Sequence, residues 1–322
     1  MVKDSHSKNI QALRGLAIIA VVLIHNTPNG IAQVICRPFL NFAVGLFLFL
    51  SGMLSNAKSR NTKNRIKKVI IPYIIWTFIY IVLHNLNNIK EIPISYIKAL
   101  MSGNAAAIMY YIFVYCEFTL LLPLIDKLAR SRYKYWGFII SPLEIIIMRM
   151  MPMIWGYDLN KEISIIMNIS CLGWFSYYYL GYMVGNNILI VKNGLTKKIT
   201  ILSIVLLLQV FEGYLYYRIG EANCGTQLKL SAVFTGILIC LISYELIYTN
   251  WLYKFNFLIL LGNHSFGIYF SHLAVMSLIS KIPYYTKYVV YPINGICVVL
   301  ISLFCVIVGK KILGKYSKYM AL

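Results

Sequence analysis

Acidic side chains are scarce in this chain. Ten Asp and Glu stand against thirty Lys and Arg, and charged residues of every kind make up 12% of 322 positions. A soluble domain carries about twice that charged fraction, so a soluble fold is excluded. CxxC pairs and Cys/His metal spacings are missing too. The seven cysteines (Cys36, Cys116, Cys171, Cys224, Cys240, Cys297 and Cys305) therefore read as small hydrophobes in apolar runs, not as a disulfide framework or a metal site. No small-residue cleavage site follows the first apolar run, so that run is expected to remain as a membrane helix and not to leave as a signal peptide. No internal repeat relates two halves of the chain, and no soluble domain follows the last apolar run.

What is present is apolar sequence: 60% of residues are hydrophobic, with a mean hydropathy of +0.72. Runs of about 17–25 apolar residues are span candidates. Ten are expected, at 10–27, 39–55, 69–86, 105–125, 135–151, 163–185, 199–217, 229–249, 255–279 and 289–309. The expected fold is all-α, a single polytopic domain over 1–322. The net charge of +20 would point to nucleic acid in a soluble protein. Here it follows the loops. Twenty Lys and Arg fall on one side of the ten spans and nine on the other, with Arg14 inside the first. Cytoplasmic loops carry the excess of Lys and Arg, so both termini are expected in the cytoplasm and no nucleic-acid partner is expected.

The first span, Ile10 to Ile24 with His25 at its end, carries Arg14 inside it. A charge in a hydrophobic span is costly and usually marks function or a specific partner. Eleven residues separate Arg14 from His25, about 20° short of or beyond three full helical turns and about 16 Å of axial rise. The two share one face at two depths, with Gln11 near it. A ligand touching both is long, or two ligands meet there. His25 reads either as a general base or acid, since neutral imidazole accepts a proton near pH 7, or as an interfacial histidine at a helix end. Arg14 reads either as a snorkelling cation or as a clamp for phosphate or carboxylate.

Three further features stand out. The 56–68 segment holds Lys58, Arg60, Lys63, Arg65, Lys67 and Lys68, either a topology signal in contact with anionic lipid or a landing site for a cytosolic polyanion. Glu117 lies within an apolar run, where a carboxylate normally finds a cation, and Arg14 is a candidate partner; Glu144 and Glu212 also lie in apolar runs, with no role evident. In the ninth span Ser265, Tyr269 and His272 are spaced by four and three, which places them on one helix face, while His264 points elsewhere. That stripe serves as helix–helix glue or lines a substrate path.

These residues resemble acyltransferase family 3, integral membrane acyltransferases with a core of about ten helices. Arg14-Gly15-Leu-Ala17-Ile-Ile-Ala-Val21-Val-Leu-Ile-His25 is similar throughout to the family's first-helix pattern. Val44 through Ser51-Gly52-Met-Leu resembles its second-helix segment, and Arg65 through Pro72-Tyr73 its basic loop, where Lys67 and Lys68 stand near a second arginine that the family often has. Trp174-Phe175 through Gly181-Tyr182 and Ser265 through Tyr269-Phe-Ser-His272 resemble its later motifs.

The resemblance implies acyl transfer, usually of acetyl from cytosolic acetyl-CoA to a hydroxyl of a cell-surface or lipid-linked glycan such as a capsule. It implies catalytic roles for His25 and Arg14, donor contacts from Arg14, Arg65 and Lys68, acceptor contacts from Ser265, Tyr269, His272 and Glu117, and no metal. Some members carry an extracellular esterase-like domain. Without one, this chain is expected to act alone or to pass its acyl group to a separate protein, in a bacterial plasma membrane. A non-enzymatic glycan or lipid transporter, or an assembly subunit without catalysis, is the alternative that composition alone leaves open. A polar tunnel between the first and ninth spans is the expected meeting place of the two substrates.

Overall fold

A computed structural model describes residues 2–57, 61–151, 169–220, 224–249, 251–285 and 289–322. Among the described residues the fold is all-helical, with no strand. The chain begins with α1 (Val2–Asn26), a short α2 (Ile31–Cys36) with a 3-10 turn (Arg37–Phe39), and α3 (Phe42–Met53). Next come α4 (Thr62–His84), α5 (Ile92–Ser102), α6 (Tyr110–Ala129) and α7 (Ile140–Ile145). The second half holds α8 (Phe175–Gly185), α9 (Leu195–Arg218), α10 (Leu230–Ile247), α11 (Asn256–Asn263), α12 (Ser265–Ile279) and α13 (Ile293–Leu313).

Six spans among the described residues are long and apolar enough to cross a membrane, and α11 with α12, bent by 79°, makes up to seven. The other three of the ten expected spans take different forms. α6 has the length but carries Glu117, Asp126 and Lys127. The 135–151 run, with Pro142 inside it, breaks into a 3-10 turn, the short α7 and a π turn (Ile146–Met150). Of the 163–185 run, residues 163–168 lie outside the described residues, and the rest contributes the 11-residue α8. At about 1.5 Å per residue α8 is far too short to cross about 30 Å of hydrocarbon.

The short α8 is instead enclosed by protein. Every residue from Phe175 to Val184 is buried. Its four tyrosine hydroxyls each reach an acceptor: Ala232 O (3.0 Å) from Tyr177, Ser55 Oγ (2.9 Å) from Tyr178, Lys134 O (2.6 Å) from Tyr179 and Asp126 Oδ1 (2.6 Å) from Tyr182. A buried tyrosine contributes large apolar area and needs only that one partner. The Gly181-Tyr-Met-Val-Gly185 run lets α8 meet α3 closely: a Cβ on Gly181 would lie 2.0 Å from Phe49 O, and one on Gly185 2.1 Å from Met53 O. Small residues four apart allow such approach where no hydrophobic force drives membrane helices together.

α1 is the other axis of the fold. Ala12, Leu13, Ala17, Ile18, Ala20, Val21, Val22 and Ile24 are all buried, which accounts for an apolar run with no polar face. Its start is tied down by the Asn9 amide, which donates to Ile247 O and Thr249 O, both at 2.8 Å. α1 and α11 touch backbone to backbone: a Cβ on Gly15 would sit 2.0 Å from Leu258 O, and one on Gly262 1.9 Å from Gln11 O.

Candidate functional site

Two polar clusters lie on α1, about 16 Å apart by helical rise. At the Arg14 end there is a cavity of ≈ 430 Å³ lined by Arg14, Ser51, Leu54, Asn56, Asn61, Arg65 and Tyr115. α3 ends beside it, α4 begins beside it, and α6 closes it. The basic segment expected to be a loop is helix from Thr62 onward. Lys and Arg are good helix formers, so the helix outruns its apolar stretch by two turns. That helical start aims Arg65 into the cavity and leaves Lys67 and Lys68 exposed. Lys68 is not among the lining residues, and Lys58 and Arg60 lie outside the described residues.

Arg65 is held in place. Its Nη2 donates to Ser55 Oγ at 2.8 Å, and the same oxygen accepts from Tyr178 at 2.9 Å and donates to Ser51 O at 2.7 Å. The guanidinium lies over the Tyr115 ring, 5.9 Å from its centroid. No lining residue is acidic. Two arginines, two asparagines and a serine around one space form a donor-rich, acid-free seat, the chemistry that binds phosphate oxygens.

At the other end of the face, the rings of His25 and His272 stand 5.4 Å apart. His272 is fully buried. Its Nδ1 lies 3.0 Å from Ile268 O and 2.8 Å from Tyr269 O. Carbonyls only accept, so Nδ1 carries the proton and Nε2 keeps a free lone pair. Nε2 is buried without a partner. Tyr269, one turn back on α12, donates to Ile108 O and packs on Tyr111 at 5.5 Å. Tyr111 is within electrostatic reach of Arg14. Tyr111, Tyr269 and His272 thus form a tyrosine wall of ring contacts that ends at His25, and Tyr115, one turn along α6 from Tyr111, lines the cavity. Ser265 is buried on the same helix, whereas His264 is partly exposed and bonded to Leu260 O at the bend.

The structure departs from or adds to expectation in three places. Glu117 does not pair with Arg14: its Oε2 accepts the Cys171 N–H at 2.6 Å, and no ion pair joins it to Arg14 among the described residues. A backbone N–H at the start of the 172–174 turn satisfies the carboxylate in place of a cation. The cavity opens among α1, α3, α4 and α6, while the expected meeting of the first and ninth spans is seen in the His25 and His272 rings, 5.4 Å apart. Glu212, given no role above, caps α10: it accepts from Leu230 N (3.2 Å), Ser231 N (2.9 Å), the Ser231 hydroxyl and Tyr216 (3.0 Å). Negative charge is favourable at a helix N-terminus.

Ser51, Asn56, Asn61 and Tyr115 have no site role in the sequence reading, where Ser51 stands only within the second-helix resemblance. The signal for the first two was faint: Ser51, Ser55 and Asn56 follow the apolar run of α3 at its end, where polar groups face either water or a ligand. Arg37 was also passed over as a loop charge. Its Nη2 donates to Ile24 O at 3.2 Å, the carbonyl next to His25.

A family model described as an acyltransferase domain, that of acyltransferase family 3, matches residues 7–311, nearly the whole chain. Among curated proteins there is no significant match, and among solved structures there is none either.

Proposed function

The chain belongs to acyltransferase family 3, and from that membership we propose that it is a membrane O-acetyltransferase, moving acetyl from cytosolic acetyl-CoA to a hydroxyl of a cell-surface or lipid-linked glycan. The observation that carries this reading is one helix face with an acid-free, two-arginine cavity at one end and a histidine pair at the other. Acetyl-CoA is built to that plan, with phosphates at one end and a thioester at the other. Its phosphates would lie on Arg14 and Arg65, with the exposed Lys67 and Lys68 adding long-range attraction. The pantetheine arm would follow the tyrosine wall.

At the far end the reaction is acyl transfer. His25 takes the proton of the acceptor hydroxyl while that oxygen attacks the thioester carbonyl. The tetrahedral adduct collapses, the C–S bond breaks, and the proton passes from His25 to the departing CoA thiolate. His272 acts as a positioning residue: its Nε2 lone pair is available to an N–H of His25 and stabilises the imidazolium that forms. Ser265, Tyr269 and Glu117 would act through the walls and not by direct contact, since Tyr269 and Glu117 are already bonded within the protein. A bacterial plasma membrane and cytoplasmic termini belong to the same proposal; the Lys and Arg asymmetry behind the orientation is the one counted over the ten spans expected from sequence.

Arg65→Gln is expected to weaken acetyl-CoA binding about tenfold or more, since a hydrogen bond to a charged group is worth roughly 1.5–3 kcal/mol. The loss grows at low ionic strength, where charge is screened least. Titration of the purified protein with acetyl-CoA at low and high salt measures both. An unchanged dissociation constant at low salt contradicts the donor site. No binding and no release of CoA by the unaltered protein favours a transporter instead.

A further inference from the structure

A second set of donors lies on the other side of His25 from Arg14. Arg37, in the turn after α2, gives Nη2 to Ile24 O at 3.2 Å, while its Nε is buried with no partner. Its stem lies against Gly225, where a Cβ would come within 2.5 Å of Arg37 Cδ. The neighbouring Cys224 carbonyl is held by Lys229, which is fully buried and whose ammonium also bonds Gln209 O, both at 3.2 Å.

Neither cation has an ion-pair partner among the described residues. Glu212, whose oxygens bond the start of α10, lies within electrostatic reach of Lys229, which leaves two cations to one carboxylate. Amide oxygens of Gln33, Asn41 and Gln227 around the same 224–229 segment are also buried without partners. Gln33 touches the Gly225 position directly, and the Asn41 amide nitrogen donates to Gly225 O and Thr226 O.

A surplus of positive charge in a buried setting is costly, and buried polar groups such as Arg37 Nε are normally bonded. A cluster that has a spare guanidinium donor, one positive charge in excess and several open amide oxygens is complementary to a polyhydroxylated ligand bearing an anion. The donor's phosphates are assigned to the Arg14 cavity, so this seat falls to the acceptor. We propose that the acceptor glycan carries an anionic group, a carboxylate or a phosphate, that docks on Arg37 and delivers a hydroxyl to His25. This rests on the reading of His25 as the acyl-transfer centre. The guanidinium fork suits either anion: a uronic acid within the glycan, or the phosphate that links a glycan to its lipid carrier.

The test is equilibrium binding to the purified full-length protein, in matched pairs. One pair is a glucuronic acid tetrasaccharide and its carboxyl-reduced counterpart; the other is a polyprenyl phosphate and the corresponding polyprenol. At low salt at least one anionic probe is expected to bind about tenfold tighter than its neutral partner. Raising the salt shrinks that ratio. Arg37→Gln brings it close to one, and Arg37→Lys, which keeps the charge and loses the fork, retains part of it.

The pair that shows the preference identifies the anion. Equal affinity within both pairs for the unaltered protein overturns the proposal, as does a ratio that survives in Arg37→Gln. Because a ratio within one protein is read, a lower yield of folded variant does not mimic the effect. If Arg37→Gln does not fold, the salt dependence and Arg37→Lys decide in the same way. The measurement needs no turnover, so its failure leaves the acyl-transfer reading standing; that reading fails separately, if His25→Ala turns over normally.

Discussion

His25→Ala is expected to cut the rate of acyl transfer by about 10²–10⁴, the usual contribution of a positioned general base, while the protein stays folded and inserted. The side chain sits at the end of α1, half-buried, and its described ring contact is with His272. Removing the imidazole takes away no backbone hydrogen bond and no core packing of α1, whose apolar residues are buried on their own account. Acetyl-CoA binding should survive, because the seat proposed for its phosphates is the Arg14 cavity, about 16 Å away along the helix. The measurement is turnover of purified protein alongside its acetyl-CoA affinity. Near-normal turnover would remove His25 from the mechanism. Loss of binding together with turnover would mean that the two ends of α1 are one site and not two.

Gly262→Ala is expected to disable the protein by a different route. A single methyl group there would lie 1.9 Å from Gln11 O, and the obstacle is backbone on the facing helix. No side chain can swing aside, so α1 and α11 must separate. Overpacking a tight contact costs about 1–3 kcal/mol and more where nothing can yield. The same separation moves Arg14 and His25 on α1 relative to His272, because α11 leads directly into α12 through the 79° bend. The expected result is a lower unfolding temperature in detergent and a loss of transfer larger than the loss of folded protein explains. Gly15, packed on Leu258 O at 2.0 Å in the mirror position, should behave likewise, which accounts physically for a glycine directly after Arg14. Unchanged thermal stability and turnover in Gly262→Ala would show that the two helices are not in this contact.

How far such features can be read in a sequence depends on which interactions set them. The pairing of Arg14 with His25 on one face follows from helical period alone, and so does the common face of Ser265, Tyr269 and His272. The 5.4 Å approach of His25 to His272 is the tertiary consequence of two such faces meeting. Spans such as α9, whose sides are largely open to lipid, announce themselves by hydropathy. α8 does not, because burial within protein and burial within lipid select the same residues, and only length separates them. The bend at His264 is likewise invisible, since Gly262-Asn263-His264 interrupts an apolar run without a proline. Glu212 and Glu117 looked alike as carboxylates in apolar sequence; their partners are backbone N–H groups from elements distant in the chain, which no local pattern reveals. Arg37 and Lys229 read in sequence as loop charges for topology, and it is the packing of the 224–229 segment near α2 that buries Lys229 and the Nε of Arg37.

Transfer of acetyl groups to a glycan through His25 is the proposed activity. Mass spectrometry of surface and lipid-linked glycans tests it most directly, in cells lacking the gene and in the same cells carrying either the unaltered chain or His25→Ala at matched membrane levels. The account predicts an acetyl ester on a glycan hydroxyl that disappears with the gene, returns with the unaltered chain and does not return with His25→Ala. Glycans identical in all of these cells, or acetylation restored in full by His25→Ala, would contradict it.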